Sequence, residues 1–132
     1  MTLELSMLAT PKAVPELRHL LRHHGYDVRL CASELLTNVV DHVGEGTPVT
    51  VRVLDSGTGH MRVEITDPDP RALPLLLGSA GPTDESGRGL ALLDAVALRW
   101  GVEQGPGHKT VWCEVEEKPS SPLSGSGGSG RP

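Results

Sequence analysis

The stretch Asp27-Val28-Arg29-Leu30-Cys31-Ala32-Ser33-Glu34-Leu35-Leu36-Thr37-Asn38-Val39-Val40-Asp41-His42-Val43 decides how this chain folds. Val28, Cys31, Ala32, Leu35, Leu36, Val39 and Val43 recur at steps of three and four, which collects apolar side chains on one face of an α-helix. Asp27 is the expected N-cap. Glu34 and Asn38 stand four apart and so project from one side, with Asp41 and His42 continuing that polar line one turn on. Spacing alone leaves two readings open: the solvated face of an amphipathic helix, or one wall of a site.

Working outward from this helix, Val49, Val51 and Val53 alternate with Thr50 and Arg52. After Asp55-Ser56-Gly57-Thr58-Gly59, Met61, Val63 and Ile65 alternate with Arg62, Glu64 and Thr66. This predicts an antiparallel hairpin with one buried face. Upstream, Leu3, Leu5 and Met7 read as a half-buried strand, and a short helix is expected from Pro15, with Leu17, Leu20 and Leu21 as its apolar stripe and Gly25 as its stop. Residues 67–86 hold four prolines and no sustained period, a long loop of the kind that is usually functional. Gly87-Arg88-Gly89 then opens a third helix, in which Leu90, Leu93, Val96, Ala97 and Trp100 are apolar and which Gly101 closes. Val111, Cys113 and Val115 alternate with Trp112, Glu114 and Glu116 as a last strand. The expected architecture is α+β, a two-layer α/β sandwich of three helices on about five mostly antiparallel strands.

Length supports a single domain: 132 residues divided in two would leave each half below the usual size for a self-sufficient core. That domain is expected over residues 1–117, followed by a disordered tail at 118–132, KPSSPLSGSGGSGRP, which has almost nothing to bury. The net charge of −5 repels phosphate backbones and anionic membranes, and with no Phe, one Tyr and two Trp there is no row of rings for stacking bases. Neither nucleic acid nor membrane is the expected partner. The apolar stretch Leu73 to Leu77 is broken by Pro74 and far shorter than a membrane span, and the N-terminus has no basic-then-apolar leader pattern, so a cytoplasmic location is expected. Cys31 and Cys113 lack paired metal or redox spacing and read as two buried thiols. His19, His23 and His24 have no third ligand spaced with them and read as a solvated face. Ser86 lacks the elbow motif of a hydrolase nucleophile.

Three segments taken in order carry more than any one of them. Ser33-Glu34-Leu35-Leu36-Thr37-Asn38-Val39-Val40 lies on a helix, Ile65-Thr66-Asp67 ends a strand, and Ser86-Gly87-Arg88-Gly89-Leu90 opens a helix after a loop. Together they resemble the Bergerat-type ATP-binding domain, and most closely the short, stand-alone bacterial anti-sigma-factor serine/threonine kinases. The resemblance spans about residues 3–117, including Arg99-Trp100-Gly101 and Lys109-Thr110-Val111-Trp112. It implies ATP and Mg²⁺ as cofactors, with Glu34 as the catalytic carboxylate and Asn38 as the side chain holding the metal. It further implies that Asp67 accepts a hydrogen bond from the adenine amino group with Thr110 nearby, and that Gly87, Arg88 and Gly89 meet the phosphates. Backbone N–H groups at a helix start suit phosphate oxygens, and an amide oxygen is a hard ligand suited to Mg²⁺. The implied partners are a sigma factor and an anti-sigma antagonist protein, with a homodimer also compatible. One departure stands out. Where the family often has D-x-G-x-G, this chain has Asp67-Pro68-Asp69-Pro70-Arg71, which leaves a second reading open: an interaction module that keeps the fold without productive ATP binding.

Overall fold

The computed structural model describes residues 2–57, 59–69 and 96–116. In chain order these form β1 (Thr2–Ala9), α1 (Ala13–Leu20), α2 (Tyr26–His42), β2 (Thr47–Gly57), β3 (His60–Asp67), β4 (Arg99–Gly105) and β5 (His108–Glu116). The strands make one five-stranded sheet in the order β1-β2-β3-β5-β4, every neighbouring pair antiparallel. Both helices pack on one face, with α2 seated over β3 and β5. The fold is the α+β sandwich expected, with two helices among the described residues.

The inner face follows from the two periodicities meeting. Val49, Val51, Val53, Val63, Ile65, Val111, Cys113 and Val115 alternate inward from the sheet, and Val28, Cys31, Ala32, Leu35, Leu36 and Val39 descend from α2 to meet them. Burying a Val or Leu side chain contributes about 1.5–3 kcal/mol, so this layer holds the helix on the sheet. Cys31 and Cys113 are free, buried and hydrogen-bonded thiol to thiol across the α2–β5 interface. That bond, with burial added, holds the Cys113 thiol above its ordinary value.

Four local expectations are corrected. Gly25, in extended conformation, is the N-cap of α2, so Asp27 lies inside the first turn, where its charge complements the helix dipole. The α1 stripe is narrower than expected: Leu17 and Leu21 are fully buried but Leu20 is 48% exposed. In the β2–β3 hairpin, strand pairing continues to Gly57↔His60 through an irregularity after Asp55, whose Oδ1 accepts the Gly57 N–H at 2.9 Å. Gly57 has φ +107°, a conformation that disfavours any side chain there.

The largest correction concerns residues 99–105. Trp100 and Gly101 do not end a helix; they belong to edge strand β4, paired to β5 as Trp100↔Cys113 and Gly101↔Trp112. A Cβ at Gly101 would lie 2.9 Å from Cζ2 of Trp112, so glycine here makes room for the neighbouring indole rather than stopping a helix. Val96 is helical, Ala97 is not, and the remainder of the expected third helix lies outside the described residues.

The outer face is polar and densely paired. Arg52 lies 3.4 Å from Glu4 and 3.1 Å from Glu64; Arg62 lies 2.7 Å from Glu64 and 3.3 Å from Glu103 and sits 4.2 Å over the Trp112 ring; Arg99 lies 2.7 Å from Glu114. These contacts tie all five strands together across the side facing away from the helices.

Candidate functional site

The site is built where α2 crosses the ends of β3 and β5. Leu35, Asn38, Val39, His42 and Val43 from α2 face Ile65 and Asp67 of β3 and Lys109 and Val111 of β5 around one recess. The recess holds about 10 Å³, room for about one water. Its walls are mostly aliphatic, and its polar groups come from Asn38, His42, Asp67 and Lys109.

Asn38 is 4% exposed, which removes the solvated-face reading for this residue. Its Nδ2 is buried without a hydrogen-bond partner. An unsatisfied buried donor costs about 1–3 kcal/mol, a cost a fold keeps where something else supplies the partner. Glu34, one turn earlier, is half-buried and does not line the recess. Burial pushes its carboxyl above the ordinary value; the Arg18 cation pulls it down and Asp41 adds to the rise.

Asp67 is 1% exposed. Its Oδ1 accepts the Asp69 N–H at 2.8 Å, a local turn in which the carboxylate substitutes for a backbone acceptor. Its Oδ2 lies 3.1 Å from Nζ of Lys109, close enough for an ion pair though not aligned as a hydrogen bond. Lys109 is fully buried, and its Nζ also donates to the Asp69 carbonyl at 3.1 Å. A buried pair of this kind is held by its geometry and its extra hydrogen bonds, not by charge alone.

The structure therefore brings Asn38 and Asp67 together and sets Glu34 one turn along the same helix. It does not bring Thr110 to them. Thr110 pairs with Thr66, their hydroxyl oxygens 2.7 Å apart, and strand alternation puts both on the face of the sheet away from Asp67. Lys109 takes the inward position opposite Asp67 in the register. It was legible: counting back in twos from Cys113 through Val111 reaches residue 109. Gly87, Arg88 and Gly89 lie outside the described residues, as does Arg71.

Comparison with known proteins bears on the fold that carries this recess. Residues 7–114 match the model of the histidine kinase-like ATPase domain. The chain belongs to that family. An uncharacterized protein of Streptomyces coelicolor is 61% identical over 87 residues, covering 66% of this chain and 83% of the relative. The crystal structure of the RsbU and RsbW domains of Rv1364c from Mycobacterium tuberculosis superposes with a TM-score of 0.62 at 19% identity, covering 90% of this chain. This chain spans about a third, 33%, of that one's length, and at such identity the likeness shows the fold alone. Among the described residues no helix is long and apolar enough to cross a membrane.

A histidine kinase-like ATPase domain implies ATP, and the residues present fit it unequally. The phosphate end fits: the unpartnered, buried Asn38 Nδ2 is a donor that suits an anionic oxygen, and the oxygen of the same amide is of the hard, neutral kind that suits Mg²⁺. The base end has the acceptor, Asp67, but an ammonium of the chain already sits on it.

Proposed function

We propose that this chain is an ATP-dependent serine/threonine protein kinase of the anti-sigma-factor type, which binds a sigma factor and phosphorylates an anti-sigma antagonist. The observation that carries the reading is the buried Asn38 amide, whose Nδ2 donor has no partner within the protein, in the same recess as Asp67, on a family fold that binds ATP. In this reading the Asn38 amide oxygen holds Mg²⁺, Asp67 accepts the base amino group, and Glu34 accepts the proton of the acceptor hydroxyl. Bound Mg-ATP supplies the phosphoryl group and neutralises the charge that builds on it. Glu34 is suited to its part because partial burial raises its proton affinity toward the working pH while leaving the carboxylate reachable from solvent. The remainder of the protein's work is positioning, which is the greater share of phosphoryl-transfer catalysis. Thr110 has no part here, its hydroxyl being engaged with Thr66 on the other face.

A second reading, a non-catalytic interaction module, has one observation in its favour: the Asp67–Lys109 pair covers the base acceptor. Thermal unfolding with Mg-ATP separates the two. Binding to the folded state alone stabilises by about 3 kcal/mol at a hundredfold excess over Kd. Radiolabel transfer to a co-purified partner tests catalysis: Glu34→Ala is expected to lose transfer and keep Mg-ATP binding, and Asn38→Ala to lose Mg-dependent binding itself. No stabilisation at millimolar nucleotide removes the kinase reading; partner binding without nucleotide and without transfer establishes the module.

A further inference from the structure

Lys109 is the largest fully buried side chain among the described residues, and it ends in the recess. Its ammonium lies between the Asp67 carboxylate and the Asp69 carbonyl, both at 3.1 Å, as an ion pair to the first and a hydrogen bond to the second. The Asp69 N–H returns to Asp67 Oδ1 at 2.8 Å, so the turn after β3 is closed into a ring around the ammonium. The walls in front of it, Leu35, Val39, Ile65 and Val111, make an aliphatic slot ending at a carboxylate. Such a slot suits a flat heteroaromatic ring carrying an exocyclic amine, yet only about 10 Å³ of it is open.

We propose that Lys109 is an internal occupant of the base subsite, competing with the exocyclic amino group of the nucleotide base for Asp67, so that nucleotide binds only as the ammonium withdraws. This rests on the nucleotide-site reading above. Both competitors present N–H to the same carboxylate; the lysine has the advantage of full charge and of being tethered beside it. It has the means to leave, since its stem is flexible and Pro68 and His108 beside it are exposed, which puts water within reach of the ammonium. The apparent affinity of the protein for nucleotide is then reduced by the fraction of time Lys109 occupies the slot. Lys109 thus sets affinity from the base end, independently of the metal held by Asn38.

The test is calorimetric titration of Mg-ATP into the full chain and into Lys109→Met and Lys109→Gln. Removing the ammonium is expected to tighten binding by about tenfold or more in Lys109→Met. Lys109→Gln, which keeps a neutral donor and serves if the first variant does not fold, is expected to tighten it less. A second readout needs no variant. Acylation of the protein's three lysines by an amine-selective ester is followed by mass spectrometry, with exposed Lys12 as reference. Saturating Mg-ATP is expected to raise labelling of Lys109 severalfold. Binding by the variants alone supports the proposal as strongly as tighter binding does. Equal or weaker binding by both variants, or unchanged Lys109 labelling with ATP bound, overturns it and leaves the nucleotide site standing. Absence of binding by all three proteins overturns the nucleotide reading together with it.

Discussion

The two faces of this sheet treat charge in opposite ways. On the outer face, arginines and glutamates from all five strands are spent on one another, most of them partly in water, and Arg52, Arg62, Glu64 and Glu114 each have two or more partners. On the inner face Asn38, Asp67 and Lys109 are buried almost completely, as one amide and one ion pair, and the amide has Nδ2 without a partner. Exposed lattices are cheap to build and tolerant of loss, because water replaces whatever is removed. Buried groups are expensive and intolerant, so their presence identifies the part of the molecule not built for stability alone.

That contrast can be broken by substitution. The largest effect is expected for Lys109→Met in the nucleotide-free protein, which strands the Asp67 charge in the interior and should cost about 3–5 kcal/mol in urea unfolding. The double variant Asp67→Leu with Lys109→Met should recover much of that loss; if the single change is as mild as one on the outer face, the pair is not a structural anchor. Next, Gly101→Ala should cost about 1–3 kcal/mol, since its new Cβ meets the Trp112 ring at 2.9 Å and a packed neighbour has to move. Unaltered stability with unshifted Trp fluorescence would show the outer face to be looser than the lattice implies.

Asn38→Leu runs in the opposite direction. Replacing an orphaned buried amide by a side chain of similar size should leave stability equal or raise it by about 1 kcal/mol. It should also abolish Mg-dependent nucleotide stabilisation, the mark of a residue retained for function. A clear loss of stability would mean that the amide has a structural partner after all.

The smallest effect is expected at the exposed end of the lattice, for Arg99→Ala. The hydrogen bond from Arg99, with its charge and that of Arg62, holds the Glu114 carboxyl below its ordinary value, against some desolvation. A depressed carboxylate contributes stability above its unfolded-state pKa, and that contribution disappears as pH falls through the folded-state value. Unfolding midpoints from pH 7 downward should therefore fall less steeply in Arg99→Ala than in the parent. Glu34 has the opposite sign: its raised pKa makes the ionised form less stable in the folded chain, so Glu34→Gln should gain stability most at neutral pH.

Much of the scaffold was legible from periodicity. The run Val28 to Val43 is α2, ending within a residue or two of where its pattern ends, and the valines at 49, 51 and 53 face Val63 and Ile65 as the alternation required. The neighbourhood of Trp100 was misread for a definable reason. A glycine after an apolar run is the usual sign of a helix end, and the chain does not announce locally that an indole eleven positions later will lie against that glycine. The candidate site was half legible. Glu34, Asn38 and Asp67 come from ordered motifs whose spacing is local, whereas Thr110, which the resemblance implies near Asp67, depends on strand register and turns to the other face.

The sequence by itself determined the α+β class, the helix that carries Glu34 and Asn38, and the inward faces of the hairpin, because each depends on a repeat shorter than one element. Tertiary structure alone decided that β5 runs between β3 and β4, and with it three pairings: Asp67 with Lys109, Cys31 with Cys113, and Gly101 with Trp112. Each joins residues tens of positions apart or depends on strand register, and a one-residue slip would exchange the two faces of β5. Such a slip would turn Lys109 outward and Thr110 inward.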